Sequence, residues 1–454
     1  MNSSLIVLAP VAIWSVGWGI VRGIMSGETA ALRILAACVA ILLGLSIWSI
    51  GYLLWLVIGA PGSVMYLVDV PMLLAGGYLL TRQRWKARSH YEPQRATGTE
   101  KILLLAMALL AMIAMALRFA HSPDGDWDAY EIWNLHARFL FRDPQLFFRA
   151  FDPAVNHPDY PPLLCGMIAH GWTLLGRDSV IVPMVFSTIF TGLAVGIVGS
   201  GLAILRGTSA GIIAAMVLLG TPALIDLGAS QYADMPIGCM LAAAVVLAML
   251  AGDRTAGRSS GLRILSGACA ALTACVKNEG IVMLICVAVC VIAFRPRGLG
   301  FFAIGVAVPL ALLAAFKIHY APTNDLVEKS CAGSAFSRLM NPHRYFQITT
   351  DIIGHILSLR RWNIFMLLAV VIVIVQAMRR RTSLAAAVAM LISVSYYFVY
   401  VLTPMDLSWH LQTSLERLML QLWPLLVLSA GLAISHGHNP YPNPHSGPQI
   451  RAFS

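Results

Sequence analysis

Long apolar segments separated by shorter polar loops recur along the whole chain. Windows of about 20 apolar residues match the length that an α-helix needs to cross a bilayer. They predict about thirteen membrane spans, near residues 5–24, 33–58, 63–80, 102–120, 180–204, 208–227, 234–251, 262–276, 281–294, 299–317, 362–378, 383–402 and 418–435. The first window has no basic start and no small-residue cleavage site, so we interpret it as a retained span rather than a signal peptide. The predicted fold class is all-α, a polytopic transmembrane helix bundle.

Lysine and arginine are concentrated in alternate loops. The segment 81–101 carries six of them against two glutamates. Further arginines are grouped in three later loops: Arg254, Arg258 and Arg263; Arg295 and Arg297; Arg379, Arg380 and Arg381. The positive-inside rule places these loops in the cytoplasm. The complementary loops are then extracytoplasmic: 121–160, 228–233, 318–361 and 403–417. The polar, proline-containing tail 436–454 is predicted to be disordered and cytoplasmic.

Composition excludes most soluble classes of protein. Charged residues make up 11% and apolar residues 58% of the chain, and the mean hydropathy is +0.76. A soluble fold could not cover that much apolar surface. Nucleic-acid binding is excluded with it, because the formal net charge of +10 (31 Lys and Arg minus 21 Asp and Glu) reflects the cytoplasmic loops. The eight cysteines form neither a disulfide framework nor a zinc spacing.

The first large outer loop is acidic and contains the segment DGDWDAYEIW at 124–133. Ile132, Trp133, His136, Phe139 and Leu140 recur at helical spacing, with Tyr130, Asn134 and Arg138 on another face, which predicts an amphipathic helix lying in the interface. Carboxylates at such a surface are partly desolvated, and this raises their pKa toward the range of a general base. A solvated acidic loop with an aromatic belt is the alternative.

Two further motifs place polar groups at the outer ends of apolar segments. HPDYPPLL at 157–164 fixes the backbone with three prolines and puts His157, Asp159 and Tyr160 at the membrane lip. The apolar piece 161–176 after it is too short for a span and is interpreted as interfacial or re-entrant. KNEG at 277–280 contributes Lys277 and Glu279. The alternatives are a rigid turn for the first motif and snorkelling by Lys277 for the second.

The last two motifs lie in other outer loops. QYADMP at 231–236 is a short hairpin bearing Asp234, and DLSWHLQTSLERLMLQLWP at 406–424 brings His410 and Arg417 to the mouth of the last span. Arg417 and Lys277 together would suit a phosphate anion near the interface, although snorkelling again accounts for each alone. The sequence has no P-loop, HExxH or GxSxG motif.

Together, these motifs resemble the integral-membrane GT-C glycosyltransferases, in particular bacterial relatives of the protein O-mannosyltransferase and aminoarabinose transferase families. The resemblance covers residues 102–435 as a catalytic transmembrane module, with 121–176 as its catalytic outer loop. Residues 1–80, which are extra N-terminal helices, and the basic cytoplasmic loop 81–101 lie outside it. It implies a GT-C-like bundle in the bacterial inner membrane, with an active site that faces the extracytoplasmic side.

The resemblance also implies a reaction and its residues. A sugar would pass from a polyprenyl-phosphate donor to a hydroxyl of an unidentified glycan, lipid or protein acceptor, with inversion. An aspartate of the first loop would be the general base: Asp128 is the first candidate because it heads the helix, and Asp126, four residues before Tyr130, is its rival. The expected donor-binding residues are Lys277, Arg417, His157, Asp159, Tyr160, Glu279, Asp234 and His410. A divalent ion is possible as a cofactor, with His157 and Glu279 as ligands.

Two other functional classes remain open at the level of sequence. A lipid or sugar transporter or flippase would place its polar groups near the middle of the membrane, whereas here they gather at one face. A non-catalytic scaffold would not need Asp, Lys and Arg side chains that converge from three separate loops.

Overall fold

The computed structural model describes residues 8–27, 29–59, 66–82, 96–252, 258–323 and 332–434. Every secondary-structure element in these ranges is a helix, which confirms the predicted all-α class. The α-helices are α1 Leu8–Arg22, α2 Ala30–Val57, α3 Tyr66–Arg82, α4 Gly98–His121, α5 Asn134–Arg142, α6 Leu163–Leu175, α7 Ile181–Arg206, α8 Thr208–Leu219, α9 Pro222–Ala229, α10 Asp234–Leu250, α11 Ser259–Val276, α12 Glu279–Phe294, α13 Leu299–His319, α14 Ala332–Leu339, α15 Pro342–Ile356, α16 Leu359–Met378, α17 Leu384–Leu402 and α18 Leu407–Ile434. The predicted disordered tail 436–454 and most of the basic loop 81–101 lie outside the described residues.

Twelve of the thirteen predicted apolar windows each coincide with one helix in the described residues, but not all of these helices are long enough to cross a membrane. In the described part of the chain, eight helices are long and apolar enough to cross a membrane: α2, α4, α7, α11, α13, α16, α17 and α18. The bent pair α8 and α9 makes a ninth if it is one span. The remaining windows correspond to α1, α3, α10 and α12, which have 15 to 17 residues. The chain is therefore a polytopic membrane protein.

One predicted span is broken. The window 208–227 forms α8 and α9, whose axes differ by 63° across the break. Pro222 is the first residue of α9 and has no backbone N–H for a continuous helix, and it disfavours helical geometry at Thr221 before it. The break turns α9 toward the outer loops, so that its end carries Asp226 and Ser230 close to the first acidic loop.

Helix α10 lies at the centre of the bundle. Every one of its residues except Met249 is buried, among α7, α11 and α18. Beside it, α11 and α13 approach closely through reciprocal glycines, because a Cβ on Gly267 would lie 2.1 Å from the Phe302 carbonyl oxygen and one on Gly305 would lie 2.0 Å from that of Ile264. A packed centre of this kind gives the first residue of α10, Asp234, a fixed position.

The first acidic loop folds as a short π-helical turn, Ala129–Trp133, continued by α5. Ile132, Trp133, His136 and Leu140 are buried and Tyr130 is exposed, as the amphipathic pattern predicts. Asn134 departs from that pattern. It is buried, since the π-helical turn shifts the register and its amide donates to Gln231 Oε1 at 3.2 Å. Helix α6, with 13 residues, is too short to span and packs between α2 and α5.

Candidate functional site

Asp234 is the centre of a buried charge network. It opens α10 and is fully buried. Its Oδ1 accepts hydrogen bonds from Lys277 Nζ at 3.1 Å and Gln421 Nε2 at 2.5 Å, and its Oδ2 accepts one from Arg417 Nε at 3.1 Å. Lys277 lies just after α11, while Arg417 and Gln421 lie one turn apart on α18. The two cations that the sequence nominates for the donor phosphate therefore converge on one carboxylate.

The same two cations each reach a second carboxylate. Arg417 Nη2 donates to Asp128 Oδ2 at 2.5 Å, and Lys277 Nζ lies 2.8 Å from Glu279 Oε1. Burial lowers the pKa of Lys277, but the neighbouring carboxylates of Asp234 and Glu279 outweigh it and the pKa is raised, so Lys277 is charged. We name this group the Asp234 cluster; its members are Asp128, Asp234, Lys277, Glu279, Arg417 and Gln421.

Both cations of the Asp234 cluster keep unused donors. An ammonium group has three N–H donors and a guanidinium has five. Among the described residues, Lys277 contacts two acceptors, and Arg417 donates through Nε and once through Nη2. One N–H of Lys277 and three of Arg417 therefore have no hydrogen-bond partner among the described residues. The Arg417 guanidinium also lies 4.7 Å from the centre of the Tyr232 ring, a cation–π contact that fixes its plane.

The two candidate bases differ in how their oxygens are used. Asp126 accepts from Arg118 Nη2 at 2.5 Å through Oδ1 and from Ser230 Oγ at 2.7 Å through Oδ2. Asp128 has only Oδ2 engaged, by Arg417, and its Oδ1 has no hydrogen-bond partner within the described residues. Asp128 thus has an oxygen available for a proton, while both oxygens of Asp126 hold the loop to neighbouring elements.

A second salt-bridge chain surrounds Asp126. Arg118, in the last turn of α4, also donates through Nε to Asp226 at 2.8 Å. Arg361 bonds Asp226 at 2.8 Å and the two oxygens of Glu416 at 2.5 and 2.9 Å. This chain joins the first acidic loop to α4, α9, α16 and α18. Its geometry supports a structural role for Asp126.

Asp159 is held by two groups that follow other spans. Asn278 Nδ2 donates to Asp159 Oδ2 at 2.6 Å, and Lys317 Nζ donates to the Asp159 carbonyl oxygen at 2.5 Å and to Asn278 Oδ1 at 2.8 Å. Asp159 is buried, and Asn278 is the residue after Lys277. Asp159, in the HPDYPPLL motif, is therefore hydrogen-bonded to the residue that follows Lys277 at the end of α11, and so lies beside the Asp234 cluster.

The aromatic residues of the lip form a stack. Tyr160 is stacked on Trp133 at 5.4 Å between ring centres and on His157 at 4.5 Å. Burial lowers the pKa of His157 and raises that of Tyr160 well above its usual value, so both side chains are neutral near pH 7. The stack gives a flat, uncharged surface between the first acidic loop and the Asp159 lip.

His410 makes its hydrogen bond and its ring contacts outside the Asp234 cluster, although the charges of Glu279 and Lys277 lie within range of its imidazole. Its Nδ1 is 3.0 Å from Thr403 Oγ1, and its ring packs edge-on against Tyr400. Within the part of the chain that the structure describes, no three His, Cys, Asp or Glu side chains are grouped so that they could hold a metal ion. The Oε2 atom of Glu279 is buried and has no hydrogen-bond partner among the described residues. A divalent ion at His157 and Glu279 stays a prediction.

An apolar groove adjoins the lip. It has a volume of about 220 Å³. Its walls include Pro161 and Leu163 after the lip, Cys275 two residues before Lys277, and Phe316 beside Lys317. Four residues of α2 form another part of the wall: Ile50, Leu53, Leu54 and Val57. The groove is therefore lined in part by close sequence neighbours of Asp159, Lys277 and Lys317.

Several residues of the site are absent from the sequence-based prediction. Gln421 follows Arg417 by one helical turn, and Lys317 and Arg118 are isolated cations in the last turns of apolar helices. These spacings are the signals that could have identified them, since a lone charge at the outer end of a span needs a partner. Ser230 and Tyr232 have no such signal, because their role depends on the position of α9.

Comparison with known proteins gives one similarity. No protein-family model matches the chain, and no curated protein does. Among solved structures, the chain is similar to the crystal structure of ArnT from Cupriavidus metallidurans in the apo state, with a TM-score of 0.47 and 12% sequence identity. The similarity covers 75% of this chain and 60% of that one, so the chain spans about three-fifths of the length of ArnT.

Proposed function

We propose that the protein is a membrane glycosyltransferase that moves a sugar from a polyprenyl-phosphate donor to an acceptor hydroxyl on the extracytoplasmic side. The observation that carries this proposal is the arrangement of Asp128, whose Oδ2 is fixed by Arg417 while its Oδ1 has no partner among the described residues. The proposed base and the proposed anion-binding arginine are thus hydrogen-bonded to each other. The order of the five sequence motifs supports the same reaction class.

The class of sugar donor is inferred from the apolar groove and from the unused N–H groups of Lys277 and Arg417. A lipid tail in the apolar groove would place its head group at the Asp159 lip, next to Lys277. The unused N–H groups of Lys277 and Arg417 would bind the phosphate. The phosphate would also displace the Glu279 carboxylate from Lys277. A long apolar tail with one phosphate is the ligand that suits both parts of the site.

The reaction is a single displacement. Asp128 Oδ1 takes the proton of the acceptor hydroxyl as its oxygen attacks the anomeric carbon, and the bond from that carbon to the phosphate oxygen breaks. The lipid phosphate leaves with the electron pair and is stabilised by Lys277 and Arg417, so a strong general acid is not required. One displacement inverts the configuration at the anomeric carbon.

The direct test is incubation of the purified protein with a panel of radiolabelled polyprenyl-phosphate sugars. We expect transfer to an acceptor, or slow hydrolysis, with at least one donor, since a correctly placed base also activates water. Free polyprenol of the same length is the control for binding of the tail alone. Donor translocation across vesicles without cleavage of any donor would contradict the proposal and favour a flippase.

The site must face outward for this function, and labelling tests that placement. A cysteine at Asn156, which is exposed in the first acidic loop, should react with an impermeant thiol reagent in intact cells. The background carries Cys331→Ser, because residue 331 is in another predicted outer loop. Thr382→Cys, between α16 and α17, is the control expected to react only after lysis. The opposite labelling pattern would reverse the topology and refute the proposed donor side.

A further inference from the structure

One side of α2 contacts both helices of the catalytic outer loop. Ser49 Oγ donates to the Leu163 carbonyl oxygen at 2.6 Å, at the start of α6. Tyr52, one turn later, donates through its hydroxyl to the Leu140 carbonyl oxygen at 3.0 Å. Leu140 lies in the last turn of α5, where backbone carbonyls have no partner within the helix. The Tyr52 hydroxyl therefore caps a helix that is remote from it in sequence.

The same side of α2 is joined to α3 and α6 by a buried polar cluster. Trp48 Nε1 donates to Asp69 Oδ1 at 2.7 Å, and His170 Nδ1 lies 3.3 Å from the Trp48 carbonyl oxygen. A carbonyl only accepts, so Nδ1 carries a proton. His170 Nε2 and Asp69 Oδ2 face each other at 3.8 Å, and neither has a hydrogen-bond partner among the described residues.

These contacts bear on the site through the ends of the loop helices. The π-helical turn that Asp128 heads runs directly into α5, and α6 begins three residues after Tyr160 of the lip. Tyr52 thus fixes the far end of the segment that carries Asp128, while Ser49 fixes the near end of the segment that carries Asp159. A neighbouring face of α2 supplies a wall of the apolar groove.

We propose that α2, which lies outside the part of the chain that resembles glycosyltransferases, positions the catalytic outer loop, with Ser49 and Tyr52 as its positioning residues. The catalytic consequence rests on the proposed function; the mechanical coupling of α2 to α5 and α6 does not. Displacement of a catalytic group by even 1 Å lowers turnover strongly. Lys277 and Arg417 belong to other helices, so loss of the α2 contacts affects the base more than donor binding.

The test compares Ser49→Ala and Tyr52→Phe, singly and combined, with the control Ser46→Ala. Ser46 is also buried in α2, but its hydroxyl donates to Leu42 of its own helix, at 2.9 Å. Hydrogen exchange of the full-length protein in nanodiscs is measured by mass spectrometry. We expect exchange of segments 134–143 and 163–175 to be about tenfold faster in the double variant, because two buried hydrogen bonds are lost. The control should match the wild type.

Steady-state kinetics give the second readout. We expect kcat of the double variant to fall about tenfold or more, with the KM for the donor within about twofold of the wild type. Exchange rates equal to those of Ser46→Ala would overturn the coupling. Faster exchange with an unchanged kcat would overturn the positioning role. If the wild type itself cleaves no donor, the proposed function fails, and the exchange result alone decides whether α2 holds the loop.

Discussion

Replacing Asp128 by asparagine should lower turnover by about 10²–10⁴-fold, the range typical of a lost general base. An asparagine oxygen can still accept the hydrogen bond from Arg417 that Asp128 Oδ2 accepts at 2.5 Å. It cannot take a proton from the acceptor hydroxyl. Folding and donor binding should therefore persist while kcat falls, and steady-state kinetics together with binding of labelled donor would separate the two effects.

Asp126→Asn is the matched comparison, since it removes the same charge two residues earlier. We expect a smaller loss, because both oxygens of Asp126 serve Arg118 and Ser230 and neither is available for catalysis. Abolished transfer in Asp126→Asn together with a largely active Asp128→Asn would reverse the assignment within the pair. Full activity of both variants would contradict a carboxylate mechanism in the first loop.

The positions of the helices were predictable because each apolar window is a local property of the sequence. The all-α class needed only the length and number of these windows. The break between α8 and α9 was not predicted, although Thr221–Pro222 marks it in the sequence. Hydropathy averages over about 20 residues, and a proline that ends one helix and starts another leaves that average unchanged.

For the candidate site, the sequence predicts a set of residues but not the hydrogen bonds between them. Convergence of Lys277 and Arg417 follows from their placement at the outer ends of spans, because such ends meet at one face of the bundle. Their shared partner Asp234 does not follow, since sequence spacing carries no information on contacts between residues 43 and 183 positions apart. The sequence likewise does not predict the contacts of His410 with Thr403 and Tyr400, and its role in donor binding stays a prediction.

The contribution of α2 had no signal in the sequence. Serine and tyrosine inside an apolar window are ordinary residues of a membrane span, and their hydroxyls can bond to their own helix, as Ser46 does. Only the packing of α5 and α6 against α2 gives Ser49 and Tyr52 partners in the outer loop. A motif-based comparison leaves this helix outside the catalytic module for the same reason.

Replacing Asp234 should have the largest effect on stability. Asp234→Asn leaves Lys277 with the partly exposed Glu279 alone and Arg417 with Asp128 alone, and removing one partner of a buried ion pair typically costs about 3–5 kcal/mol. Thermal unfolding in detergent would measure the loss. Asp178→Asn is the control, because Asp178 forms a partly exposed surface pair with Arg142 whose loss should cost less than about 1 kcal/mol.

A double-mutant cycle distinguishes loss of the charge pair from general disruption of the centre of the bundle. Lys277→Gln in the Asp234→Asn background removes the cation that the first substitution leaves with Glu279 alone, so the double variant should lose less stability than the two single variants added together. The Arg417 contact with Asp128 persists in all three variants, so the difference in stability reports on the Asp234–Lys277 pair. Strictly additive losses would show that Asp234 and Lys277 do not interact, and the charge pairing at the centre of the site would then be refuted.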